Sequence, residues 1–133
     1  MAVTTEGWDR RDPKLAVAAA DSARWHRIKG FAPTSTVAWS PDSARFAFSE
    51  LRRTAWRFIS LRANGTAARK LTNGDPVGMA QWAPDGRRIL IVAGTRDGRS
   101  MRDLKIVPAD GGRPRRVTRV ATGVAITSVS WRR

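Results

Sequence analysis

The chain contains two copies of one pentapeptide, Trp39-Ser40-Pro41-Asp42-Ser43 and Trp82-Ala83-Pro84-Asp85-Gly86. The two tryptophans lie 43 positions apart, and similar segments follow both copies, ending in Leu71-Thr72 and Val117-Thr118. Self-similarity at a period of about 40 residues is typical of repeat proteins, in which each repeat is one supersecondary unit. We therefore expect the fold to be a series of stacked copies of such a unit.

Partial copies of the same unit flank the two complete ones. Residues 18–29 align with residues 61–72 at the same spacing of 43, and residues 127–131 repeat the pattern of residues 35–39. The sequence therefore predicts an N-terminal extension followed by repeats over residues 14–131. The predicted segments are the extension 1–13, a half unit 14–30, whole units 35–72 and 78–118, and a half unit 125–131.

Each whole unit contains four short segments with the composition of β-strands. Ile89-Leu90-Ile91-Val92 is a continuous apolar run, as expected for a strand that is buried on both faces. The last segment of each unit alternates basic and apolar residues, which suits a half-exposed edge strand. We therefore predict an all-β fold of β-propeller blades, each with four antiparallel strands, comprising about two full blades and two half blades.

The repeated Pro-Asp dipeptides predict a tight turn after the first strand of each unit. Pro41 and Pro84 fix the φ angle of the first central position, and Asp42 and Asp85 can accept hydrogen bonds from nearby backbone amides. Gly86 can adopt the left-handed conformation that closes such a turn. Since serine takes this place in the first copy, we expect that turn to be more strained or differently shaped.

Three tryptophans recur at the end of the first strand of a unit. They are Trp39, Trp82 and Trp131. A large apolar residue at this constant position favours packing between blades over stacking on a ligand.

The two turns, together with Ala109-Asp110-Gly111-Gly112-Arg113-Pro114-Arg115-Arg116-Val117-Thr118, resemble the WD-like propeller repeat of the TolB family. The same repeat builds the propeller domains of prolyl-oligopeptidase-type peptidases. The resemblance covers about residues 14–131. It implies a non-enzymatic propeller module that serves as a protein–protein interaction or scaffolding surface, with another protein as its partner.

The number of repeats is small for a propeller. Closed rings use about four to eight blades, whereas the units predicted here make up about three. Two hypotheses follow: two copies of the chain complete a six-bladed ring as a homo-oligomer, or the chain is part of a longer propeller.

The charge of the chain allows two interpretations. Lys and Arg number 25 against 11 Asp and Glu, which gives a net charge of +14. A basic stripe can bind nucleic acid through the release of counterions, but charged outer strands also protect sheet edges from aggregation. We favour the second interpretation and keep nucleic-acid binding as the alternative. The residues that would contact an anion or nucleic acid are Arg69, Lys70, Arg113, Arg115, Arg116 and Arg119.

No pattern in the sequence predicts an active site. His26 is the single histidine and cysteine is absent, so the usual zinc sites and thiolate chemistry are not expected. No Gly-x-Ser-x-Gly elbow presents a nucleophile. A further alternative for the function is the propeller part of a prolyl-oligopeptidase-type peptidase that lacks its catalytic domain. We therefore predict no catalytic residues, no metal and no cofactor.

The sequence also gives an expectation for localisation. It shows neither a signal peptide nor an apolar run of about 20 residues. The chain as written is predicted to be cytoplasmic, without a membrane partner, or periplasmic if it is a fragment that has lost its leader.

Overall fold

A computed structural model of the chain describes residues 2–6, 15–19, 21, 24–31, 33–35, 37–95, 100–124 and 126–132. Within these ranges all regular elements are β-strands, which confirms the predicted all-β class. They are β1 (Ala2–Glu6), β2 (Leu15–Ala19), β3 (His26–Ile28), β4 (Ala38–Trp39), β5 (Arg45–Arg52), β6 (Ala55–Arg62), β7 (Arg69–Asn73), β8 (Val77–Trp82), β9 (Arg88–Gly94), β10 (Met101–Pro108) and β11 (Arg115–Arg119). None of the described segments forms a helix of the length and apolarity needed to cross a membrane.

The strands form three antiparallel sheets, which we name blade I (β1-β2-β3), blade II (β4-β5-β6-β7) and blade III (β8-β9-β10-β11). Blades II and III contain four strands each in consecutive order, as predicted. Blade I contains three described strands. The sequence pattern does not predict β1, because residues 2–6 fall in the segment interpreted as an N-terminal extension; residues 7–13 of that segment lie outside the described ranges.

The N-terminal half unit follows the strand register of the whole units. Ala16 pairs with Arg27 between β2 and β3, and the residues 43 positions later, Ile59 and Lys70, pair between β6 and β7. Blade I therefore contains the three outer strands of a blade, with β1 in the position that β5 occupies in blade II.

Two hydrophobic cores lie between successive blades. Successive side chains of β5 point to opposite faces of the sheet, so Phe46 and Phe48 pack towards blade I while Ala47 packs towards blade III. The core between blades I and II contains Leu15, Val17, Ile28, Phe46, Phe48, Ile59 and Leu61. The core between blades II and III contains Ala47, Phe58, Leu71, Val77, Trp82, Ile89, Ile91, Val107 and Ala109. Burial on both faces accounts for the continuous apolar runs in the sequence.

Hydrogen bonds to main-chain carbonyls reinforce the junction between blades II and III. The indole Nε1 of Trp82 donates to the carbonyl oxygen of Ala38 at 3.0 Å, near the inner strands. Towards the outside, Nη1 of Arg69 donates to the carbonyl oxygen of Ala109 at 2.8 Å. The two blades are thus joined at both ends of their shared core.

The outermost strands differ in how well they are covered. Ile28 of β3, Leu71 of β7 and Val117 of β11 occupy the same position of the repeat. Ile28 and Leu71 are 6% and 4% exposed, because the next blade packs over each, whereas Val117 is 47% exposed. Blade II covers blade I, and blade III covers blade II. Among the described residues, no further blade covers the outer face of blade III in this way.

Candidate binding surface

The two ends of the blades carry different kinds of connection. Because neighbouring strands are antiparallel, the C-terminal ends of β5, β7, β9 and β11 lie at the same edge as the N-terminal ends of β6, β8 and β10. We call this edge the loop end. The opposite edge carries the two Pro-Asp turns and is called the turn end.

At the turn end, each repeated aspartate closes its own turn. Oδ1 of Asp42 accepts hydrogen bonds from the hydroxyl of Ser40 at 2.6 Å and from the amide of Ala44 at 3.0 Å. Oδ1 of Asp85 accepts one from the amide of Arg87 at 2.9 Å. These bonds lower the pKa of both carboxyl groups, with the Ser40 hydroxyl the main cause for Asp42 and the Arg87 amide for Asp85. Each carboxylate therefore forms its hydrogen bonds within its own blade, Asp42 in blade II and Asp85 in blade III.

The two turns have the same shape despite their different residues. The amide of Ser43 donates to the carbonyl of Ser40, and the amide of Gly86 donates to that of Ala83, both at 2.9 Å. The φ angles are 58° at Ser43 and 70° at Gly86. Serine is therefore held in the left-handed region that glycine occupies in the second copy. The prolines that precede these aspartates, Pro41 and Pro84, are exposed.

At the loop end of blade II, a buried glutamate holds two arginines. The side chain of Glu50 is 1% exposed and contacts Arg57 from the neighbouring strand β6. Nε of Arg52 lies 3.5 Å from the same carboxylate, and the Arg52 side chain remains half exposed. A buried carboxylate is stable when cations and hydrogen bonds compensate for its lost hydration, and here the arginines provide this compensation.

At the loop end of blade III, Asp103 likewise contacts two arginines. Nε and Nη2 of Arg119 donate to its two carboxylate oxygens at 2.5 Å and 2.8 Å, a bidentate contact between β10 and β11. Nη2 of Arg116 lies 3.6 Å from the same group. The hydrogen bonds from Arg119 are the main cause that lowers the pKa of Asp103, with the charge of Arg116 adding to it, and the same contact raises the pKa of Arg119.

One cleft opens beside this ion pair, and a second cleft adjoins it at Asp75 and Ala93. The smaller has a volume of about 260 Å³ and includes Asp75, Arg102, Asp103 and Arg119 in its wall. The larger, of about 430 Å³, lies between β7 and blade III and includes Asp75, Lys70, Lys105 and Arg113.

Cations outnumber carboxylates around these clefts. Asp75 lies 3.8 Å from Lys105, and Nε of Arg102 donates to the carbonyl of Val120 at 3.0 Å. The lining of the two clefts includes five cationic residues and two carboxylates, Asp75 and Asp103; the cationic residues are Lys70, Arg102, Lys105, Arg113 and Arg119. The wall therefore carries a net positive charge.

Comparison with solved structures identifies the fold. No family model matches the chain, and no curated protein matches it. A putative TolB from Agrobacterium tumefaciens superposes with a TM-score of 0.68 at 20% identity, over 86% of this chain and 44% of that one. The β-propeller domain of the Trilobed protease from Pyrococcus furiosus, described as having an open velcro topology, superposes with a TM-score of 0.65 at 16% identity, over 92% and 41%. The chain has a TolB-like β-propeller fold.

The same comparison shows how much of such a propeller is present. The chain spans less than half of the length of either of these structures. An acylaminoacyl peptidase also superposes, with a TM-score of 0.57 at 14% identity, over 83% of this chain and 21% of that one. At these identities the likeness establishes the fold alone.

Within the TolB-like fold, the six basic residues singled out from the sequence lie at several places on blades II and III. Arg69 contacts the carbonyl of Ala109 between two blades. Lys70 and Arg113 lie in the wall of the larger cleft. Arg116 and Arg119 gather around Asp103 at the loop end, while Arg115 lies exposed on β11.

The repeated tryptophans of this propeller lie at contacts within and between blades. Trp39 packs on Phe46 with ring centroids 4.9 Å apart, and Trp82 is buried in the core between blades II and III. Trp131 donates its indole N–H to the carbonyl of Gln81 at 3.0 Å and lies under the guanidinium of Arg88 at 5.2 Å.

Sequence reasoning missed the acidic members of the surface. Glu50 and Asp103 interrupt or end apolar strands in a chain with far more basic than acidic residues. An acidic residue inside such a strand is a usable signal, because it needs a cationic partner when it is buried.

Proposed function

We propose that this chain is a non-enzymatic recognition module whose loop end at blade III binds an acidic segment of a partner protein. The observation that carries the proposal is the group of arginines held by Asp103 beside the 260 Å³ cleft. Their carboxylate partners leave an excess of positive charge on a surface with a concave shape.

The geometry supports recognition because the arginines are already oriented. Arg119 is held by two hydrogen bonds to Asp103, yet its side chain remains 52% exposed, as does that of Arg116. Orienting a side chain before binding reduces the entropy lost when a partner is bound. Arginine is also enriched among the residues that contribute most to protein–protein affinity.

The charge state of Asp103 suits its part in holding the arginines. General acid–base catalysis works best when the pKa of the group lies near the operating pH. The contact with Arg119 instead lowers the pKa of Asp103, so this carboxylate is ionised at neutral pH. Its role in the proposal is to position arginine, not to transfer a proton.

A defined acidic peptide tests the proposal. We would measure the fluorescence anisotropy of a labelled glutamate-rich peptide, with a glutamine-rich peptide of equal length as its uncharged counterpart. The protein should bind the acidic peptide and not the glutamine-rich one. Arg119→Gln should weaken binding of the acidic peptide about tenfold, which corresponds to about 1.4 kcal/mol.

The matched control removes a positive charge from the opposite end of the molecule. Arg87 is exposed at the turn end, so Arg87→Gln should change the affinity by less than about twofold through net charge alone. An equal loss from both variants would refute the loop end as the site. Tighter binding of single-stranded DNA than of the acidic peptide, with the strong salt dependence of phosphate contacts, would replace the proposal by the nucleic-acid alternative.

A further inference from the structure

Among the described residues, blade I has no counterpart of the strand that is innermost in the other two blades. In blade II, β4 pairs with β5, and in blade III, β8 pairs with β9. β1 holds the position of β5, because Val3 pairs with Ala18 as Phe46 pairs with Leu61. Among the described strands β1 pairs only with β2, so its other edge is open. An open strand edge is a template for another strand.

A segment suited to that edge lies at the other end of the chain. Residues 127–131 repeat the sequence pattern of residues 35–39, which lead into the inner strand of blade II. Trp131 donates to the carbonyl of Gln81 as Trp82 donates to that of Ala38, and Gln81 and Ala38 are equivalent residues. The segment 126–132 therefore lies where the inner strand of a following blade begins, although it forms no strand ladder with the described residues.

The outer face of blade III also suits packing against a following blade. Val117 is 47% exposed at the position where Ile28 and Leu71 are buried by the next blade. In the described part of the chain, blade III thus has an uncovered face with the segment 126–132 beside it, and β1 of blade I has an open edge.

We propose that two copies of this chain exchange residues 126–132 and close a ring of six blades. The segment of each copy pairs with β1 of the other and completes blade I of the partner. That completed blade packs over Val117, so both junctions of the dimer continue the contacts seen between blades II and III. This inference is independent of the proposed function, since it concerns the open edge of β1 and the outer face of blade III rather than the cleft beside Asp103.

The repeat predicts the register of the exchanged strand. Trp39 pairs with Phe46 and Trp82 with Ile89, so Trp131 should pair with Val3 of the partner copy and Val129 with Thr5. Because the amide of Ala83 donates to the carbonyl of Arg88, the residues that correspond to Val129 and Thr5 form a pair without hydrogen bonds between them. The Cα atoms of such pairs lie about 4.5 Å apart, which a disulfide can span.

Engineered cysteines test both the partner and the register. The chain has no cysteine of its own, so Thr5→Cys with Val129→Cys introduces the only two thiols. Under mild oxidation this variant should form a covalent species of two chains. The control, Thr5→Cys with Ser128→Cys, shifts the thiol by one residue and therefore to the opposite face of the strand, and it should stay largely uncross-linked.

Light scattering on the unmodified chain provides a readout that needs no substitution. A discrete species of twice the mass of one chain, together with cross-linking of the in-register pair alone, supports the exchange. A monomer, a polydisperse aggregate, a disulfide within a single chain or equal cross-linking of both cysteine pairs would overturn it.

Discussion

At the scale of the residue, the repeat explains why one serine adopts an unusual backbone conformation. Ser43 has a φ angle of 58° because it replaces the glycine of the second turn, while the surrounding hydrogen bonds are unchanged. From the sequence, this turn is expected to be either more strained or differently shaped, and the structure shows the first of these. A left-handed conformation costs a residue with a side chain roughly 1–2 kcal/mol.

Replacing this serine by glycine should stabilise the protein. We expect Ser43→Gly to raise the free energy of unfolding by about 0.5 kcal/mol, since relief of strain exceeds the added freedom of the unfolded chain. The reciprocal change, Gly86→Ala, should lower it by about 1 kcal/mol. An added Cβ at position 86 would meet only the Cδ of Pro41 at 3.9 Å, so backbone strain alone is tested. Urea unfolding measures both, and effects of the same sign would contradict this account.

At the scale of the element, strand register decides which charges meet. Asp103 reaches Arg119 because these residues are directly paired between β10 and β11. A register shift between Leu104 and Lys105 separates this pair and the pair Leu104–Thr118 from the rest of the ladder. Spacing in the sequence does not reveal such a shift. The blades could therefore be predicted from the repeat, whereas the ion pair at the loop end could not. The sequence pattern also does not predict β1, because no Pro-Asp turn precedes it.

The acid sensitivity of the protein should reflect the Asp103 contact. The pKa of Asp103 is lowered in the folded state, so its contribution to stability is present above the unfolded value of about 3.9 and is lost as the pH falls through the folded value. Asp103→Asn should therefore lower the Tm at pH 7, and the difference from the parent should shrink below about pH 4. Asp21→Asn, at an exposed turn, is the charge-matched control. A constant difference across this pH range would refute the linkage.

At the scale of the whole molecule, the repeat predicts the number of blades, whereas only the structure shows which blade faces are covered. Ile28, Leu71 and Val117 are similar apolar residues at the same position of the repeat. The sequence does not reveal that the first two are covered and the third is not. That difference depends on which blade follows each strand, which is a property of the assembly.

A lysine on the uncovered face should prevent assembly without harming the fold. Val117→Lys places a charge where the partner blade would pack, and we expect light scattering to show a monomer with the circular dichroism of the parent. Thr54→Lys, in the exposed hairpin between β5 and β6, adds the same charge away from the junction and should leave the assembly intact. Dissociation of both variants would mean that charge alone separates the copies.

The indole of Trp82 points back to the preceding blade, and that of Trp131 does the same one blade later. The junctions on the two sides of blade III therefore each have a donor side and an acceptor side, and both have the same polarity. Subunits that join head to tail either close into a ring or grow into an open filament, and the rotation between neighbours decides which. For this chain, the angle between successive blades sets the limit on growth, and a closed ring would keep its size as the protein concentration rises.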